Sequence, residues 1–426
     1  MEFKEYKLDE LYVMDSGIST KKEQAGHGSP FISFKDIFNN AILPDVLTEK
    51  MDTTELEQEK YSVKKGDILL TRTSETLDEL AMSSVAIKDY PQATFSGFAK
   101  RLRPINTNIT YDKFMAFFLR SEYFRRIVNC KAVMTLRASF NEEIFSYIKI
   151  LLPDYEYQKK CGDLFYEIEC QIRDNNKINI ELEKIAKTIY DYWFLQFEFP
   201  NEDGKPYKSS GGKMVWNEEL KQEIPEGWTV GALGEFFESQ SGYAFDSNEW
   251  KIKGIPVLTI KSILEDGSVD IKSASYIDNQ YTDKMNKYSV LNGNMIFAMS
   301  GNTIGKIGII ASKEKEILIN QRVLIIKTDI NNIAYTYFNI KNQDIQNKIL
   351  QLGSNSVQPN ISEQSLKKIK VCKPNSKILN RYNKVCSIFF DEIISNRVEN
   401  ERLDELKNFL LPLLMNGQVG LKKMDK

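Results

Sequence analysis

The sequence has very few of the residues on which metal sites and disulfides depend. His27 is the single histidine among 426 residues, which excludes most zinc sites, histidine-based catalytic triads and histidine general bases. The five cysteines form no C-x-x-C pair and their number is odd, so we expect no disulfide framework and a reduced, cytoplasmic setting. No stretch approaches the roughly 18 apolar residues that a membrane-spanning helix needs.

An excess of positive charge is also missing. The 57 basic residues nearly balance the 59 acidic residues, whereas a strongly basic nucleic-acid binder would look different. Any contact with nucleic acid must therefore come from local patches, with help from partner subunits.

Motifs for nucleotide binding and methyl transfer are absent as well. The chain has no Pro-Pro pair, so the N-P-P-[FY] and D-P-P-Y tetrapeptides of adenine methyltransferases cannot occur. The stretch GNTIGKIG (Gly301–Gly308) is one residue too short for a P-loop and has Ile307 where Ser or Thr must bind magnesium. The sequence therefore predicts no catalytic residue, no metal site and no cofactor site in this chain.

What the sequence does contain is an internal duplication. The tetrapeptide KYSV occurs at Lys60–Val63 and again at Lys287–Val290, and the similarity extends in both directions from it. Upstream, PFISFKDI (Pro30–Ile37) aligns with PVLTIKSI (Pro256–Ile263). A period near 220 residues indicates two whole domains and not a solenoid of short repeats.

The alignment holds from one end of each half to the other. Near the start we align Tyr6 and Leu11 with Trp228 and Leu233. Each half then predicts a strand after a tight turn, followed by a helix over Tyr111–Val128 in the first half and its counterpart in the second. We interpret the positions that agree as scaffold and the positions that disagree as candidates for specificity.

A long helix ends each half. Apolar residues recur there with alternating steps of four and three, which is the 3.5-residue period of a coiled coil. Asn175 and Asn396 occupy equivalent core positions in the two seams, where a buried asparagine costs stability but fixes the register. The alternatives are that each helix buries one face on its own domain, and that these asparagines are exposed.

These patterns predict an α+β fold with two tandem mixed α/β domains, each followed by a long helix. Between the first long helix and the second domain lies a polar stretch, Pro200–Pro225, which contains Gly and Ser and is bounded by prolines. This composition is typical of an inter-domain linker. The predicted boundaries are a first domain at 1–152, a long helix at 153–198, a linker at 199–225, a second domain at 226–374, a second long helix at 375–416 and a tail at 417–426.

Several stretches resemble the DNA-specificity subunit of type I restriction–modification enzymes. They are EIPEGWTVGALGEF (Glu223–Phe236), DGKPYKSSGG (Asp203–Gly212), GSNSVQPNIS (Gly353–Ser362) and LLPLLMNGQV (Leu410–Val419). The resemblance implies two target-recognition domains that read a split, asymmetric DNA site, and two long helices that pair as an antiparallel coiled coil. It also implies two methyltransferase subunits and translocase/nuclease (restriction) subunits as partners, with S-adenosylmethionine on the methyltransferase and no chemistry in this chain.

On that interpretation, polar and basic residues next to the variable loops are candidates for DNA contacts. Arg and Lys can address guanine edges and Asn and Gln adenine edges, whereas Ser and Thr more often bind phosphate. For each of them, a solvated surface residue is the competing interpretation. The candidates are Lys35, Arg72, Thr73, Ser74, Arg137 and Ser139 in the first half and Lys261, Ser300, Asn302, Gln358 and Asn360 in the second.

Both long helices end in unusually apolar sequence, which predicts either burial in the chain's own core or docking of partner subunits. The candidate interface residues are Tyr192, Trp193, Phe194, Leu413, Leu414 and Met415. The main alternative for the whole chain is a coiled-coil scaffold whose paired domains bind protein instead of DNA. A self-contained nuclease or methyltransferase is disfavoured by the missing motifs.

Overall fold

The computed structural model describes residues 3–74, 76, 79–131, 138–278, 285–328, 332–354 and 359–419. Two compact units divide the chain, and each takes parts of both long helices. Unit 1 combines Met1–Gln171 with Leu403–Lys426, and unit 2 is Ile172–Arg402.

Unit 1 is a mixed α/β domain. A four-stranded antiparallel sheet has the order β2-β9-β5-β7, and a three-stranded sheet has the order β4-β3-β8, with β3 and β8 parallel. Strand β1 pairs with β11 and β6 with β10, both antiparallel. The elements in chain order are β1 (Phe3–Lys7), α1 (Leu8–Leu11), β2 (Tyr12–Ser16), β3 (Ala25–Ile32), α2 (Phe34–Asn39), β4 (Lys50–Met51), α3 (Glu55–Lys60), β5 (Ile68–Thr71), β6 (Thr73–Ser74), β7 (Ser83–Val85), β8 (Thr94–Phe95), β9 (Ala99–Pro104), α4 (Asp112–Phe118), α5 (Glu122–Lys131), β10 (Ala138–Ser139), α6 (Glu142–Tyr147), β11 (Lys149–Pro153) and the long helix α7 (Tyr155–Tyr190).

Unit 2 repeats this topology. Its sheets have the orders β15-β21-β18-β19 and β17-β16-β20, with β16 and β20 parallel, and β14 pairs with β22. After a π-helical turn at Asp191–Leu195, the elements are β12 (Met214–Asn217), β13 (Gln222–Pro225), β14 (Thr229–Ala232), β15 (Glu238–Ser241), β16 (Ile255–Leu258), β17 (Ser275–Ile277), β18 (Met295–Ala298), β19 (Ile307–Ile309), β20 (Leu318–Ile319), β21 (Val323–Lys327), α8 (Ile333–Lys341), α9 (Gln343–Gly353), α10 (Glu363–Lys367), β22 (Lys370–Lys373) and the long helix α11 (Ser376–Met415).

The central strands explain why the duplicated stretches after KYSV are so apolar. Every residue of β5 and of β18 is buried, as expected for a strand covered on both faces. The turn before each strand is closed in the same way, by the N–H of Lys64 donating to Asp67 Oδ2 at 2.8 Å and that of Leu291 donating to Asn294 Oδ1 at 3.0 Å. The glycine that precedes each acceptor has a positive φ, 89° and 86°, which favours glycine at this position.

The structure corrects the alignment at the start of the halves. Leu8 donates its N–H to Ile148 O at 3.0 Å, and Leu233 donates its N–H to Ile369 O at 2.8 Å. Leu8 is therefore the counterpart of Leu233, and the alignments of Leu11 with Leu233 and of Tyr6 with Trp228 are both wrong. Both equivalent leucines are fully buried, so the requirement that is repeated is a core leucine at the end of a strand pair.

The single helix predicted in the middle of each half is instead a pair of helices, α4–α5 and α8–α9. A side-chain cap separates the members of each pair, because it satisfies backbone N–H groups at the start of a new helix. Asn342 Oδ1 accepts the N–H of Asp344 at 2.9 Å, and Ser121 Oγ accepts that of Phe124 at 3.4 Å.

The long helices run antiparallel within each unit. In unit 1, Tyr157 near the start of α7 donates its hydroxyl to Leu414 O near the end of α11, at 3.1 Å. In unit 2, Tyr382 near the start of α11 donates its hydroxyl to Ala186 O near the end of α7, at 3.3 Å. Within the described part of the chain, no helix is both long and apolar enough to cross a membrane.

The polar middle of this helix pair lies in unit 2 and contains two matching amide contacts. Asn175 Nδ2 donates to Asn400 Oδ1 at 2.9 Å, and Asn396 Nδ2 donates to Asn179 Oδ1 at 3.0 Å. Asn175 and Asn396 are 8% and 6% exposed, so both lie in the seam as the heptad pattern predicts. Because these amides satisfy each other only in one alignment, they specify the register of the antiparallel pair.

Candidate nucleic-acid interface

In unit 1, the residues after the central strand β5 lie beside the segment that precedes α6. Arg72 O accepts the N–H of Phe140 at 2.8 Å, and the next two residues form β6, which pairs with β10. In that pairing Thr73 lies opposite Ser139. The structure thus brings together four of the predicted site residues of the first half, Arg72, Thr73, Ser74 and Ser139.

Unit 2 has the same arrangement after β18. Met299 O accepts the N–H of Ile361 at 2.9 Å, and Ser300 forms an isolated β-bridge with Asn360. Ser300 Oγ is buried and has no hydrogen-bond partner among the described residues. Asn302 follows in a short 3-10 turn and is exposed. The predicted residues Arg137 and Gln358 lie outside the described residues.

The two predicted lysines occupy equivalent places beside a turn that connects β8 to β9 in unit 1 and β20 to β21 in unit 2. Lys35 is in α2 and Lys261 in a 3-10 turn, and both are exposed. In unit 1, the N–H of Ser96 donates to Ile32 O at 3.1 Å, just before α2 begins. In unit 2, the N–H of Asn320 donates to Leu258 O at 2.9 Å. Lys35 and Lys261 each lie three residues after the residue whose carbonyl accepts this bond from the turn.

Two exposed residues that sequence reasoning missed lie in this turn. Arg72 donates its N–H to Phe98 O at 2.8 Å, and Met299 donates its N–H to Arg322 O at 3.0 Å. Phe98 and Arg322 are therefore direct neighbours of the predicted sites. Their side chains have unrelated chemistry, so a comparison of the two halves by residue type gives no signal at this position.

The cations and amides of this surface are available to a ligand. Lys35, Arg72, Lys261, Asn302 and Asn360 are exposed, and their side chains make no hydrogen bond or ion pair to the described residues. Guanidinium, ammonium and amide groups of this kind can bind phosphates and base edges. Within the described ranges, no group of His, Cys, Asp and Glu could hold a metal ion.

The basic stretch on β9 has a different role. Arg101 is 5% exposed and pairs with Asp15 at 2.6 Å, while Arg103 pairs with Asp67 at 2.6 Å. The hydrogen bonds to Asp67 raise the pKa of Arg103, although partial burial opposes this. Lys100 Nζ donates to Ser16 Oγ at 2.9 Å. These cations stabilise the sheet of unit 1 and are not open to a ligand.

A carboxylate lies at the start of the helix that follows each site, Glu363 in unit 2 and Glu142 in unit 1. Glu363 accepts from Ser239 Oγ at 2.7 Å and from Lys367 Nζ at 3.1 Å. Burial raises the pKa of Glu363, but these bonds outweigh burial and the net effect is a lowered pKa. Its counterpart Glu142 lies 4.0 Å from Lys100 Nζ. Glu363 is thus engaged within unit 2, whereas the side chain of Glu142 is 87% exposed.

The candidate partner-interface residues divide between surface and core. Tyr192 is 40% exposed, whereas Phe194, Leu414 and Met415 are 5%, 1% and 2% exposed, and Trp193 and Leu413 are half-buried. In unit 1, Met415 borders an open groove with a cavity of about 790 Å³. The other lining residues are Phe3, Glu122, Tyr123, Arg126, Ile127, Cys130, Tyr147, Lys149, Leu151 and Asn416.

Unit 2 has an equivalent groove beside the end of α7, which is smaller. Its cavity is about 240 Å³, and the chain that follows the helix covers it with Phe197 and Trp228, which are 5% and 6% exposed. Their rings are 5.7 Å apart in an edge-to-face arrangement. The groove of unit 1 instead exposes apolar side chains, with Tyr147 and Leu151 at 65% and 43%.

Comparison with known proteins gives the family. The profile of the type I restriction modification DNA specificity domain matches residues 1–184 and again residues 225–408. The chain belongs to this family of DNA-recognition domains. The two matches coincide with the two halves of the duplication, and the matched domain recognises DNA, performs no catalysis and binds no cofactor itself.

Relatives extend over almost the whole chain. The specificity subunit of the type I restriction enzyme MjaIX from Methanocaldococcus jannaschii is 26% identical, covering 95% of this chain and 90% of that protein. The HindI specificity subunit from Haemophilus influenzae is 23% identical, covering 91% and 94%. The crystal structure of the type I S subunit from M. genitalium shares the fold, with a TM-score of 0.59 at 14% identity over 100% of this chain and 97% of that one.

Proposed function

We propose that this chain is the specificity subunit of a type I restriction–modification complex and reads a split, asymmetric DNA target. The observation that carries the proposal is the duplicated surface after β5 and β18. Its backbone bonds recur in both units, while its exposed side chains differ. Two readers with one scaffold and different side chains fit two different half-sites.

The chemistry of the surface supports DNA as the ligand. Exposed lysine and arginine side chains can neutralise phosphates, and exposed amides can address adenine edges. Among the described residues, these groups have no competing partners, so binding does not require them to break bonds within the protein. The residues proposed for DNA contact are Lys35, Arg72, Thr73, Ser74, Arg137 and Ser139 for one half-site and Lys261, Ser300, Asn302, Gln358 and Asn360 for the other.

The test is the methylation pattern of a host that carries the complete system. We expect methylated adenine at a single bipartite, non-palindromic motif, and loss of this methylation when the gene for this chain is deleted. A methylation pattern unchanged by the deletion would refute the proposal. Because the chain lacks methyltransferase motifs, we assign S-adenosylmethionine and the transfer step to the partner. We also assign the complex to the cytoplasm, since the cysteine pattern fits a reducing compartment.

The apolar ends of α7 and α11 are proposed as docking sites for two methyltransferase subunits, with restriction subunits joining the assembly. The groove of unit 1 supports the docking site at the end of α11, because its counterpart in unit 2 is covered by aromatic side chains of the chain itself. At the end of α7, the candidate that stays exposed is Tyr192, at 40%. A partner that supplies apolar side chains would remove Tyr147 and Leu151 from water, and burial of apolar area stabilises a complex by about 25 cal/mol per Å² before the cost of association.

Substitution of Leu151 by Asp tests the docking site. We expect the variant to co-purify with one methyltransferase subunit instead of two, because the new carboxylate would be buried without a partner at the unit 1 groove. Leu56→Asp is the matched control, since Leu56 is 79% exposed on α3 and does not line the groove. Equal recovery of methyltransferase with both variants would contradict the assignment.

A further inference from the structure

The β8–β9 turn and the β20–β21 turn are built by the same hydrogen bonds. In unit 1 the N–H of Ala99 donates to Ser96 O at 2.9 Å, and in unit 2 the N–H of Val323 donates to Asn320 O at 2.9 Å. A side-chain oxygen of the first residue also accepts the N–H of the third, with Phe98 N 3.2 Å from Ser96 Oγ and Arg322 N 3.4 Å from Asn320 Oδ1. The third residue of the turn is therefore Phe98 in one unit and Arg322 in the other.

Both turns are fixed to the scaffold at the same point. The N–H of the second turn residue donates to Ile18 O at 2.8 Å in unit 1 and to Tyr243 O at 2.9 Å in unit 2. The residue before each acceptor is a glycine, because a Cβ at Gly17 or Gly242 would lie 2.1 or 2.2 Å from the carbonyl oxygen of the first turn residue. This close approach leaves the turn little freedom to move.

The third turn residue is also bonded to the backbone of the candidate interface. In unit 1 its carbonyl accepts the N–H of Arg72, and in unit 2 it accepts that of Met299. The carbonyl of Arg72 or Met299 in turn accepts an N–H from the backbone just before α6 or α10. Position 98 in unit 1 and position 322 in unit 2 are thus held identically relative to the predicted contact residues of their own units. The backbone is constant and the side chain changes from an aromatic ring to a guanidinium.

Both side chains are exposed, and neither makes a hydrogen bond or ion pair to the residues that the structure describes. Phe98 is 66% exposed, an unfavourable place for a phenyl ring in a free protein. Arg322 is exposed, and its guanidinium forms no hydrogen bond or ion pair to any described residue. In contrast, Arg101 and Arg103 are paired with carboxylates inside unit 1.

We propose that Phe98 and Arg322 are specificity-determining residues that read one base pair in each half-site. Arg322 donates two hydrogen bonds to O6 and N7 of a guanine, and Phe98 makes an apolar contact with the methyl group of a thymine. The proposal rests on the assignment of this chain as a DNA-specificity subunit, and it adds the residues and the bases that distinguish its two readers.

The experiment compares motifs methylated by complete systems that carry Arg322→Gln or Phe98→Ala. Arg322→Gln should relax or change a guanine at one position of one half-site, with a loss of discrimination of about 5- to 150-fold. Phe98→Ala should relax a thymine in the other half-site. Neither change should affect the half-site read by the other unit, because each side chain belongs to one reader.

Matched controls separate base reading from general effects on charge and surface. Arg381→Gln makes the same chemical change at an exposed arginine of α11, and Leu56→Ala removes an apolar side chain that is 79% exposed on α3. Both controls should keep the wild-type motif. If the wild-type system methylates a split motif that both test variants leave unchanged, the inference fails and the proposed function stands. If the wild-type system methylates no split motif, the proposed function itself fails.

A binding measurement covers variants that no longer support methylation in cells. The purified complex is challenged with duplexes in which each position of the two half-sites is changed in turn. The wild-type complex should prefer one base at the positions read by Arg322 and Phe98, and each variant should lose that preference alone. A uniform loss of affinity with the preference retained would overturn the inference, because it would mark a contact with phosphate instead of a base.

Discussion

The buried asparagine contact between α7 and α11 gives a quantitative prediction about stability. Asn396 Nδ2 donates to Asn179 Oδ1 at 3.0 Å, and the two side chains are 6% and 8% exposed. Replacing Asn396 by Leu leaves the amide oxygen of Asn179 buried without this donor. Replacing both asparagines by Leu removes both amide groups, so neither is buried without a partner. The two leucines would also make the apolar contact between α7 and α11 continuous.

The magnitudes follow from this geometry. An orphaned buried acceptor costs about 1–3 kcal/mol, and full burial of a leucine side chain contributes about 1.5–3 kcal/mol. The two terms nearly cancel in each single variant, so we expect the free energy of unfolding to change little. The double variant keeps both gains without either cost and should be more stable than the wild type by about 3 kcal/mol. The coupling between the two positions should lie near the upper end of the range for residues in contact, about 0.5–3 kcal/mol.

The assay is urea unfolding of the wild type, the two single variants and the double variant, followed by far-UV circular dichroism. Lys177→Leu, at an exposed position of α7, serves as the control and should combine additively with Asn396→Leu within about 0.5 kcal/mol. Additive effects of Asn179→Leu and Asn396→Leu would show that the amides do not form this contact. The second contact, from Asn175 to Asn400, remains in the double variant and should preserve the register.

The scaffold around each reader gives two further predictions. Gly242→Ala would place a Cβ 2.2 Å from Asn320 O, so we expect it to displace the β20–β21 turn at a cost of about 1–3 kcal/mol and to impair one half-site only, as read from the methylated motif. Glu363→Gln should remove part of the acid sensitivity of the protein. The lowered pKa of Glu363 means that its contribution is present above the ordinary carboxyl range and is lost as pH falls through that lowered pKa. The difference in stability between wild type and variant should therefore shrink on acidification, and a constant difference at all pH values would contradict this.

Much of the fold could be predicted because the duplication repeats what the backbone requires. The turn after KYSV needs a residue of positive φ and a side-chain acceptor one position later, and both copies keep a glycine followed by Asp67 or Asn294. The heptad pattern likewise predicts that Asn175 and Asn396 lie in the seam, and both are buried, but Ile178 and Ile185, which continue the same spacing, are 46% and 45% exposed. Where both halves of the duplication need the same backbone geometry, they keep the same residue types, and a comparison of the two halves identifies these positions.

The start of the halves shows where this comparison fails. Leucines at positions 8 and 11 are both buried, so the pattern of apolar residues does not decide which of them corresponds to Leu233. The hydrogen bond from Leu8 to Ile148 decides it, and that bond depends on a strand pairing between distant parts of the chain. Residues separated by some 140 positions meet only through the tertiary fold, which periodicity does not encode.

The same limit explains why Phe98 and Arg322 are not among the residues predicted from the sequence. Arg72 and Ser300 are predicted because they follow a recognisable strand, whereas Phe98 and Arg322 follow short strands of two residues, β8 and β20, that leave a weak signal. A residue that reads a base is free to differ between the halves, because two different half-sites need different donors and acceptors. The position of such a residue in the fold must stay constant even though the residue type changes. Equivalent positions of this kind are found by matching backbone hydrogen bonds. For positions 98 and 322, the matching bond joins their carbonyl to the residue that follows β5 or β18.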